Sequence, residues 1–247
     1  MKTDLQIIQH PWSIDEPFVL EEPVDMVFAD PPYNIGVKYD SDETGDKMPD
    51  ADYREWVQSV ITSCVHLLRD GGTLWWLCPP EHAGWLWPML TVHGDLLYGR
   101  PIIWHERFSQ YQTKRLTCDY RLLFPLKING GPVTFNPDAI REESERQRMG
   151  DKRADPRGRV PGHVWKVRRL QGNAKDRVGW HPAQLPPETL ERIVSGWTNP
   201  GDTVVDAFAG SASMGMACKK LHRKFIGVEQ STTYCNEARK RLTDDQD

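Results

Sequence analysis

Thr203–Ser213 reads TVVDAFAGSAS. Thr203–Phe208 is a short apolar run of the kind that forms a buried strand. Small residues follow it, and Ser213–Leu221 reads as a helix. A loop of small residues at a helix N-terminus lets a ligand approach the backbone, where N–H groups favour a carboxylate or phosphate. Lys224–Glu229 (KFIGVE) reads as the next strand. It ends on an acid roughly 20 residues after the loop, a place from which a carboxylate commonly holds ribose hydroxyls. The loop has one clear glycine, Gly210, so neither a P-loop nor a dinucleotide fingerprint is met. Thr232–Leu242 is a last helix. Upstream, Asn199-Pro200-Gly201-Asp202 is a turn, and Pro186-Pro187 opens a helix bearing Leu190, Ile193, Val194 and Trp197.

The N-terminal half repeats the alternation. Val24–Ala29 (VDMVFA) reads as a buried strand, and Leu5–Gln9 can supply another. Asp52, with Glu55 three residues later, looks like a helix cap, and Tyr53, Trp56, Val57, Val60, Ile61, Cys64, Val65 and Leu68 follow at helical spacing. Asp70-Gly71-Gly72 should stop that helix, and Thr73–Cys78 should be a second buried strand. A Trp-rich helical segment runs to about Leu90. Leu96–Trp104 and Asp119–Leu126 suggest a hairpin with a long loop. Trp75 and Trp76 sit inside an apolar strand, which favours core packing over base stacking for them. Strands alternating with helices predict an α/β three-layer sandwich on a mostly parallel sheet.

The first strand ends in Asp30-Pro31-Pro32-Tyr33. Ligands of open α/β sheets bind at that edge. A carboxylate there can accept a hydrogen bond from an exocyclic amine, two prolines fix the direction of the Pro31 carbonyl, and Tyr33 offers a flat face for a base.

Composition narrows the class. With 38% hydrophobic and 27% charged residues, the chain is neither a disordered polymer nor a membrane protein. Thr73–Cys78, its longest apolar stretch, is far short of the roughly 20 residues that span a bilayer. Met1–His10 lacks the basic flank and apolar run of a signal peptide. Five cysteines without a Cys-x-x-Cys pair argue against a disulfide framework and a zinc site, and for a reducing cytoplasm. The net charge of -4 hides an asymmetry. Arg141–Arg177 holds 12 Lys+Arg against 6 Asp+Glu, and the rest of the chain holds 19 against 29. A basic segment on an acidic body suits a polyanion.

Asp30–Tyr33 (DPPY), His181–Pro186 (HPAQLP) and Phe208–Ala212 (FAGSA), in that order, resemble the β-class of S-adenosylmethionine (SAM)-dependent DNA amino-methyltransferases. The likeness covers about residues 20–80 and 163–243. It implies a seven-stranded Rossmann-like methyltransferase sheet in permuted motif order. Residues 1–128 and 180–247 would form the catalytic domain, and 129–179 an irregular basic target-recognition insertion. Thr203–Phe208 would be strand one, Lys224–Glu229 two, Leu5–Gln9 three, Val24–Ala29 four and Thr73–Cys78 five. The resemblance assigns catalysis to Asp30, Pro31, Pro32 and Tyr33, and SAM contact to Asp206, Phe208, Ala209, Gly210, Ser211, Glu229 and Gln184. DNA contact would come from Arg107, Lys114, Arg115, Arg153, Arg157, Arg159, Arg168 and Arg169, with Arg121 in the same basic stretch. The implied reaction is methyl transfer to adenine N6 in double-stranded DNA after base flipping, by a cytoplasmic, prokaryotic or phage-type enzyme without a metal. A homodimer is compatible with it.

The departures lie in the cofactor loop. The family usually has Pro at position 207, Gly at 212, Thr at 183 and Lys at 185, where this chain has Ala207, Ala212, Ala183 and Leu185. If position 212 needs a positive φ, Ala costs about 1 kcal/mol there. Two other readings stay open: N4-cytosine methylation, whose enzymes favour Ser in place of Asp30, and a non-catalytic DNA-binding subunit with a damaged cofactor loop.

Overall fold

Apolar alternation assigns the two faces of the central sheet. In Val24–Ala29, Met26 and Phe28 pack on one side and Val27 and Ala29 on the other. In Leu74–Cys78, Trp75 and Leu77 join the first set, and Leu74, Trp76 and Cys78 the second. Period-two alternation of buried residues on both faces requires a covering layer on each side. The computed structural model describes residues 4–40, 46–106, 112–114, 116–128, 130–168, 170, 172, 174 and 176–244.

Among the described residues one sheet has nine strands: β1 (Leu5–Gln9), β2 (Val24–Ala29), β3 (Leu68–Cys78), β4 (Gly94–Leu96), β5 (Ile102–Glu106), β6 (Tyr120–Ile128), β7 (Val164–Val167), β8 (Thr203–Asp206) and β9 (Lys224–Glu229). The order is β1-β9-β8-β2-β3-β6-β5-β7, with β4 also on β6. The first five are mutually parallel, and β6 runs antiparallel to β3 and β5. The helices are α1 (Asp50–His66), α2 (Ala83–Thr91), α3 (Glu145–Arg148), α4 (Pro187–Trp197), α5 (Ser213–Lys220) and α6 (Thr232–Thr243). Side chains of α4, α5 and α6 pack with Trp75 and Phe28, whereas α1 and α2 pack with Trp76 and Val27. The result is three layers. Trp75, Trp76 and Trp104 are fully buried, and each contributes roughly 1.5–3 kcal/mol or more through burial.

The five strand positions expected from the methyltransferase pattern are all occupied as expected, and β8 lies directly beside β2. Details differ. The first long helix begins at Asp50 behind Pro49 rather than at an Asp52 cap, so Asp50 and Asp52 both sit in its first turn, where the helix dipole favours acids. It ends at His66, before the Asp-Gly-Gly sequence. The strand already begins at Leu68, and Gly71-Gly72 forms an irregularity inside it, where Val24 faces Leu68 but Met26 faces Thr73. Gly71 has φ +74 and the Gly131 carbonyl 2.6 Å from where a Cβ would stand, so no other residue fits. The expected strand Leu96–Trp104 is split into β4 and β5 by Leu97–Gly99, with Tyr98 at φ 64. The break falls beside Pro125 of β6, which has no N–H for a ladder. Counting the split strand once gives eight strands: the expected seven and one more at the edge, β7.

The basic stretch at 129–179 is less irregular than its composition suggests. Val164–Val167 alternates exposed and buried, and adds β7 as a parallel edge strand on β5. Trp165, Val167 and Ile140 enter the core under α4, and the Asn136 side-chain amide donates to the Ser195 and Thr198 carbonyls.

Candidate active site

The two sequence motifs meet because their strands are neighbours. Phe28 of β2 is in register with Asp206 of β8, so the residues that follow each strand leave the sheet at one edge, side by side. The Ala207 N–H donates to the Phe28 carbonyl at 2.8 Å, and the Ala209 N–H to the Val228 carbonyl at 2.8 Å. These bonds stitch the small-residue loop onto its flanking strands. Between the motifs opens a cleft of about 710 Å³, a size usual for a site that takes a cofactor-sized ligand. Asp30–Tyr33, Asp206–Ser211 and Glu229 line it, with Tyr39, Arg121, His181 and Tyr234.

Asp30 ends β2 with its side chain 15% exposed. The Tyr33 hydroxyl donates to its Oδ1, and Arg121 Nη1 stands 3.9 Å from Oδ2. Burial pushes the Asp30 carboxyl above the usual range, opposed by the Arg121 charge and the Tyr33 hydrogen bond. Arg121 Nη1 also donates to the Tyr33 oxygen at 3.4 Å, and Arg121 Nε to Glu106 Oε1 at 3.0 Å. Its guanidinium lies 5.7 Å from the Trp104 ring centre. Burial works against the Arg121 charge, but Tyr33, Asp30 and Glu106 override it. The Pro31–Tyr33 turn is fixed from two sides: the Tyr53 hydroxyl of α1 donates to the Pro32 carbonyl at 2.8 Å, and the Tyr33 N–H donates to Asp46 at 2.9 Å.

The other half of the cleft presents two carboxylates and a cluster of aromatic rings. Glu229, at the end of β9, accepts the Gly210 N–H at 2.9 Å and the Ser231 N–H at 2.8 Å. Each of its oxygens keeps a lone pair for a hydroxyl. Asp206 is buried and accepts the Phe208 N–H at 3.1 Å. Burial, with Asp30 and Glu229 nearby, pushes its carboxyl up to about 8. A buried carboxyl in a ligand cleft with one neutral donor suits an ammonium partner. Phe208 is clustered with Trp12 and Trp56 at 5.8 and 5.9 Å between ring centres. The Trp12 indole N–H donates to the Ala207 carbonyl and so anchors the loop. This donor set fits SAM: carboxylates for its ribose hydroxyls and ammonium, and aromatic walls for its base.

Gly210 lines the cleft and also gives room to a neighbouring ring. A Cβ there would stand 2.6 Å from His181 Nε2, so the glycine makes room for the His181 ring. Burial, helped by Arg241, lowers His181 to about 4, which keeps it neutral against Tyr234, with ring centres 4.8 Å apart. Ala212 does adopt the left-handed conformation, with φ 57, at the start of α5. Ser211 is buried, and its hydroxyl pairs with that of Ser213 at 3.0 Å. Gln184 is not among the residues lining the cleft. Its side chain accepts the Val178 N–H and donates to the Asp176 carbonyl, both at 2.7 Å, and so braces the loop that carries His181.

The basic residues divide. Arg153, Arg157 and Arg159 are exposed but pair with Asp151, Asp155 and Glu142 at 2.9, 3.0 and 2.8 Å. Arg168, just past β7, and Lys114 are exposed, whereas Arg107, Arg115 and Arg169 lie outside the described residues. Arg121, first read with the DNA contacts, is instead turned into the cleft. Its position at the head of the apolar run YRLLFPLKI was the available signal, since an arginine on a central strand needs a buried partner. Glu106, Tyr39 and Tyr234 were also missed, because no spacing in the sequence ties them to Asp30 or Gly210, and His181 was read only as part of HPAQLP, without a role of its own. Among the described residues no helix is long and apolar enough to cross a membrane.

A permuted sheet of this order, with an acid-tipped strand β9 and a small-residue loop facing Asp-Pro-Pro-Tyr, is the arrangement that the methyltransferase resemblance implies. Residues 24–240 match the family described as DNA methylase (N6/N4), and the chain belongs to that family. It is 31% identical over 232 residues to the DNA adenine methyltransferase YhdJ of Escherichia coli K12, covering 90% of this chain and 76% of the relative. Its fold is that of the M1.HpyAVI–SAM complex, with a TM-score of 0.65 at 22% identity over 97% of this chain and 99% of the other. The cytosine-N4-specific PvuII DNA methyltransferase gives 0.69 at 15% identity over 99% and 88%. The chain is thus a SAM-dependent methyltransferase of DNA.

Proposed function

We propose that the acceptor is the N6 amine of adenine in double-stranded DNA, flipped out of the duplex into the Asp30 side of the cleft. The observation that carries this is the juxtaposition of a buried Asp30 carboxylate, at the sheet edge, with the Asp206–Glu229 cofactor half of the same cleft. SAM supplies a sulfonium methyl; transfer forms the N–CH3 bond, breaks S–CH3 and leaves one amine proton to be lost. Asp30 and the Pro31 carbonyl accept the two N6 protons, which turns the nitrogen lone pair out of the ring plane. Asp30 stabilises positive charge developing on nitrogen and takes the departing proton, which then passes to solvent. Tyr33 stacks on the flipped base once its hydroxyl releases Asp30. Positioning supplies most of the rate. Asp206 holds the cofactor ammonium, Glu229 the ribose, and Phe208 with Ala209, Gly210 and Ser211 the wall of the pocket.

DNA approaches the edge where β2, β5 and β7 all end. β5 ends there at Glu106 and β7 at Val167, with Arg168 just beyond. Lys166–Arg177 holds five Lys+Arg against one Asp, the main charge excess of the basic stretch. Adenine is favoured by an acid rather than Ser at position 30 and by the adenine-specific name of the 31% identical relative. The test is methyl transfer from radiolabelled SAM to unmethylated DNA, followed by nucleoside analysis, with Asp30→Ala alongside. Label in N6-methyladenine that disappears in Asp30→Ala is the expected result. Label in N4-methylcytosine would overturn the base assignment, and undiminished transfer by the variant would overturn the role of Asp30.

A further inference from the structure

The buried ion chain behind Asp30 is not used by the transfer described above. Arg121 enters the cleft from β6, where it is in register with Trp104 of β5, and Glu106 lies two residues beyond Trp104. Glu106 binds the guanidinium through both Nε and Nη2, and the Trp104 ring supports its face. The remaining nitrogen, Nη1, points to the Tyr33 hydroxyl at 3.4 Å and to Asp30 Oδ2 at 3.9 Å. Side-chain exposures of 24% for Arg121 and 14% for Glu106 exclude a freely solvated surface pair. Two opposite charges taken this far from water persist only with good geometry and shared hydrogen bonds, and here the sharing runs into the acceptor site.

We infer that Arg121 is a positioning residue for methyl transfer: clamped by Glu106 and laid on Trp104, it holds the Tyr33 hydroxyl and the second carboxylate oxygen of Asp30 in the orientation that meets an incoming amine. The inference rests on the reading that Asp30 receives that amine. Two consequences follow. Arg121 sets a positive charge beside the Asp30 carboxyl and opposes the upward push of burial, which favours the form that accepts protons. It also gives the Tyr33 hydroxyl a second partner, so Tyr33 can leave Asp30 Oδ1 to the substrate without losing all its bonds. The groups facing Asp30 are Arg121 of β6, Glu106 of β5, Tyr33, Tyr39 and Asp46 of the following loop, Tyr53 of α1, Cys78 of β3 and Asp206 of β8. Arg121 is the cation among them, and Glu106 opposes it.

The pH profile of kcat at saturating SAM and DNA separates this role from a merely structural one. Arg121→Met should lower the rate at pH 7 by about tenfold or more and move the acidic limb up by about one to two pH units, as expected for an Asp that loses an adjacent Arg. Arg121→Lys should return the limb to within about half a unit, because the charge is restored while the fork is lost. Glu106→Gln should move the limb the other way, to lower pH, because it removes a negative charge from the same cluster. An unmoved limb in Arg121→Met, or limbs moving together in Arg121→Met and Glu106→Gln, would overturn the inference. Calorimetric SAM binding reports folding. If Arg121→Met fails to bind, Glu106→Gln decides alone, and a limb that stays or rises overturns it. Asp30→Asn tests the underlying reading separately: full activity there removes Asp30 from the reaction whatever Arg121 does.

Discussion

Asp206→Asn should remove a proton release that accompanies cofactor binding. In the free protein burial raises the Asp206 carboxyl to about 8, with Asp30 and Glu229 adding to the shift and one Phe208 N–H opposing it. Such a group is about nine-tenths protonated at pH 7 and about one-tenth at pH 9. An ammonium held against it requires the carboxylate. Binding therefore expels about 0.9 proton per site at pH 7 and about 0.1 at pH 9. The sign is fixed: binding that releases a proton tightens as pH rises. Integrated from pH 6 to 9, the affinity gain is roughly a hundredfold, with most of it below pH 8. Titration calorimetry in phosphate and in Tris, whose ionisation heats differ, counts the protons directly. Asp206→Asn keeps an acceptor oxygen but cannot ionise. It should bind about ten- to a hundredfold more weakly at pH 8, the cost of a lost charge-assisted bond, with a flat pH dependence. Buffer-independent heats for the wild-type chain at pH 7 would refute the argument. Undiminished release in Asp206→Asn would move the proton to another group, with Glu229 the first to test. The same shift makes the free protein lose stability as pH rises from the ordinary carboxylate range towards 8, because the folded state there binds more protons than the unfolded one.

Three further outcomes follow from the geometry. Ala212→Gly relieves a left-handed alanine worth about 1–2 kcal/mol but loses a buried methyl and gains unfolded-state entropy; a thermal melt should show a net gain of at most about 1 kcal/mol, and a loss above that size would mean the methyl packing dominates. Gly210→Ala pushes a Cβ to 2.6 Å from His181 Nε2, so SAM affinity measured by calorimetry should fall by more than about tenfold as His181 is displaced; unchanged affinity would show that the His181 ring moves freely. For DNA, Arg168→Ala should flatten the salt dependence of binding by about one unit of slope, whereas Arg153→Ala should change it clearly less, because Asp151 already neutralises Arg153. Equal slopes for both variants would return the contact to the paired arginines.

Much of this architecture was legible in short apolar runs. VDMVFA, TLWWLC, TVVDAF and KFIGVE each announce a buried strand, and each lies in one except for Ala207 and Phe208, which follow the end of β8 at Asp206. The resemblance of DPPY and the small-residue loop to the methyltransferase family then implied which strands are neighbours, and β2 does lie beside β8. The split of the β4–β5 edge was not read, although its own Gly99, at φ 68, and Pro101 stand at the break, which also falls beside Pro125 across the sheet. The edge strand at Val164–Val167 was hidden by its brevity and its basic surroundings: four residues of alternation carry little signal. In the site, residues adjacent in sequence were readable and residues adjacent only in space were not. Arg121 looked like one more cation for phosphate until the register of β5 against β6 brought it to Glu106 and Asp30. The strain at Ala212 was raised only as a condition, from the glycine that the resembled family usually has there, and the φ of 57 meets that condition.

The pairing of β7 with β5 bears on how the specificity of such an enzyme can change. Val167 is in register with Glu106, so the segment read as reaching for DNA is hydrogen-bonded to the strand that clamps Arg121. It therefore cannot be exchanged as a loose loop. A graft of residues 129–179 from a relative must bring its own edge strand, a core aromatic in place of Trp165 and an aliphatic in place of Ile140, or it leaves a hole under α4 and an unpaired strand at the margin of the sheet. Chimeras cut inside Val164–Val167 should express poorly, and those cut before Asn136 and after Arg168 should fold.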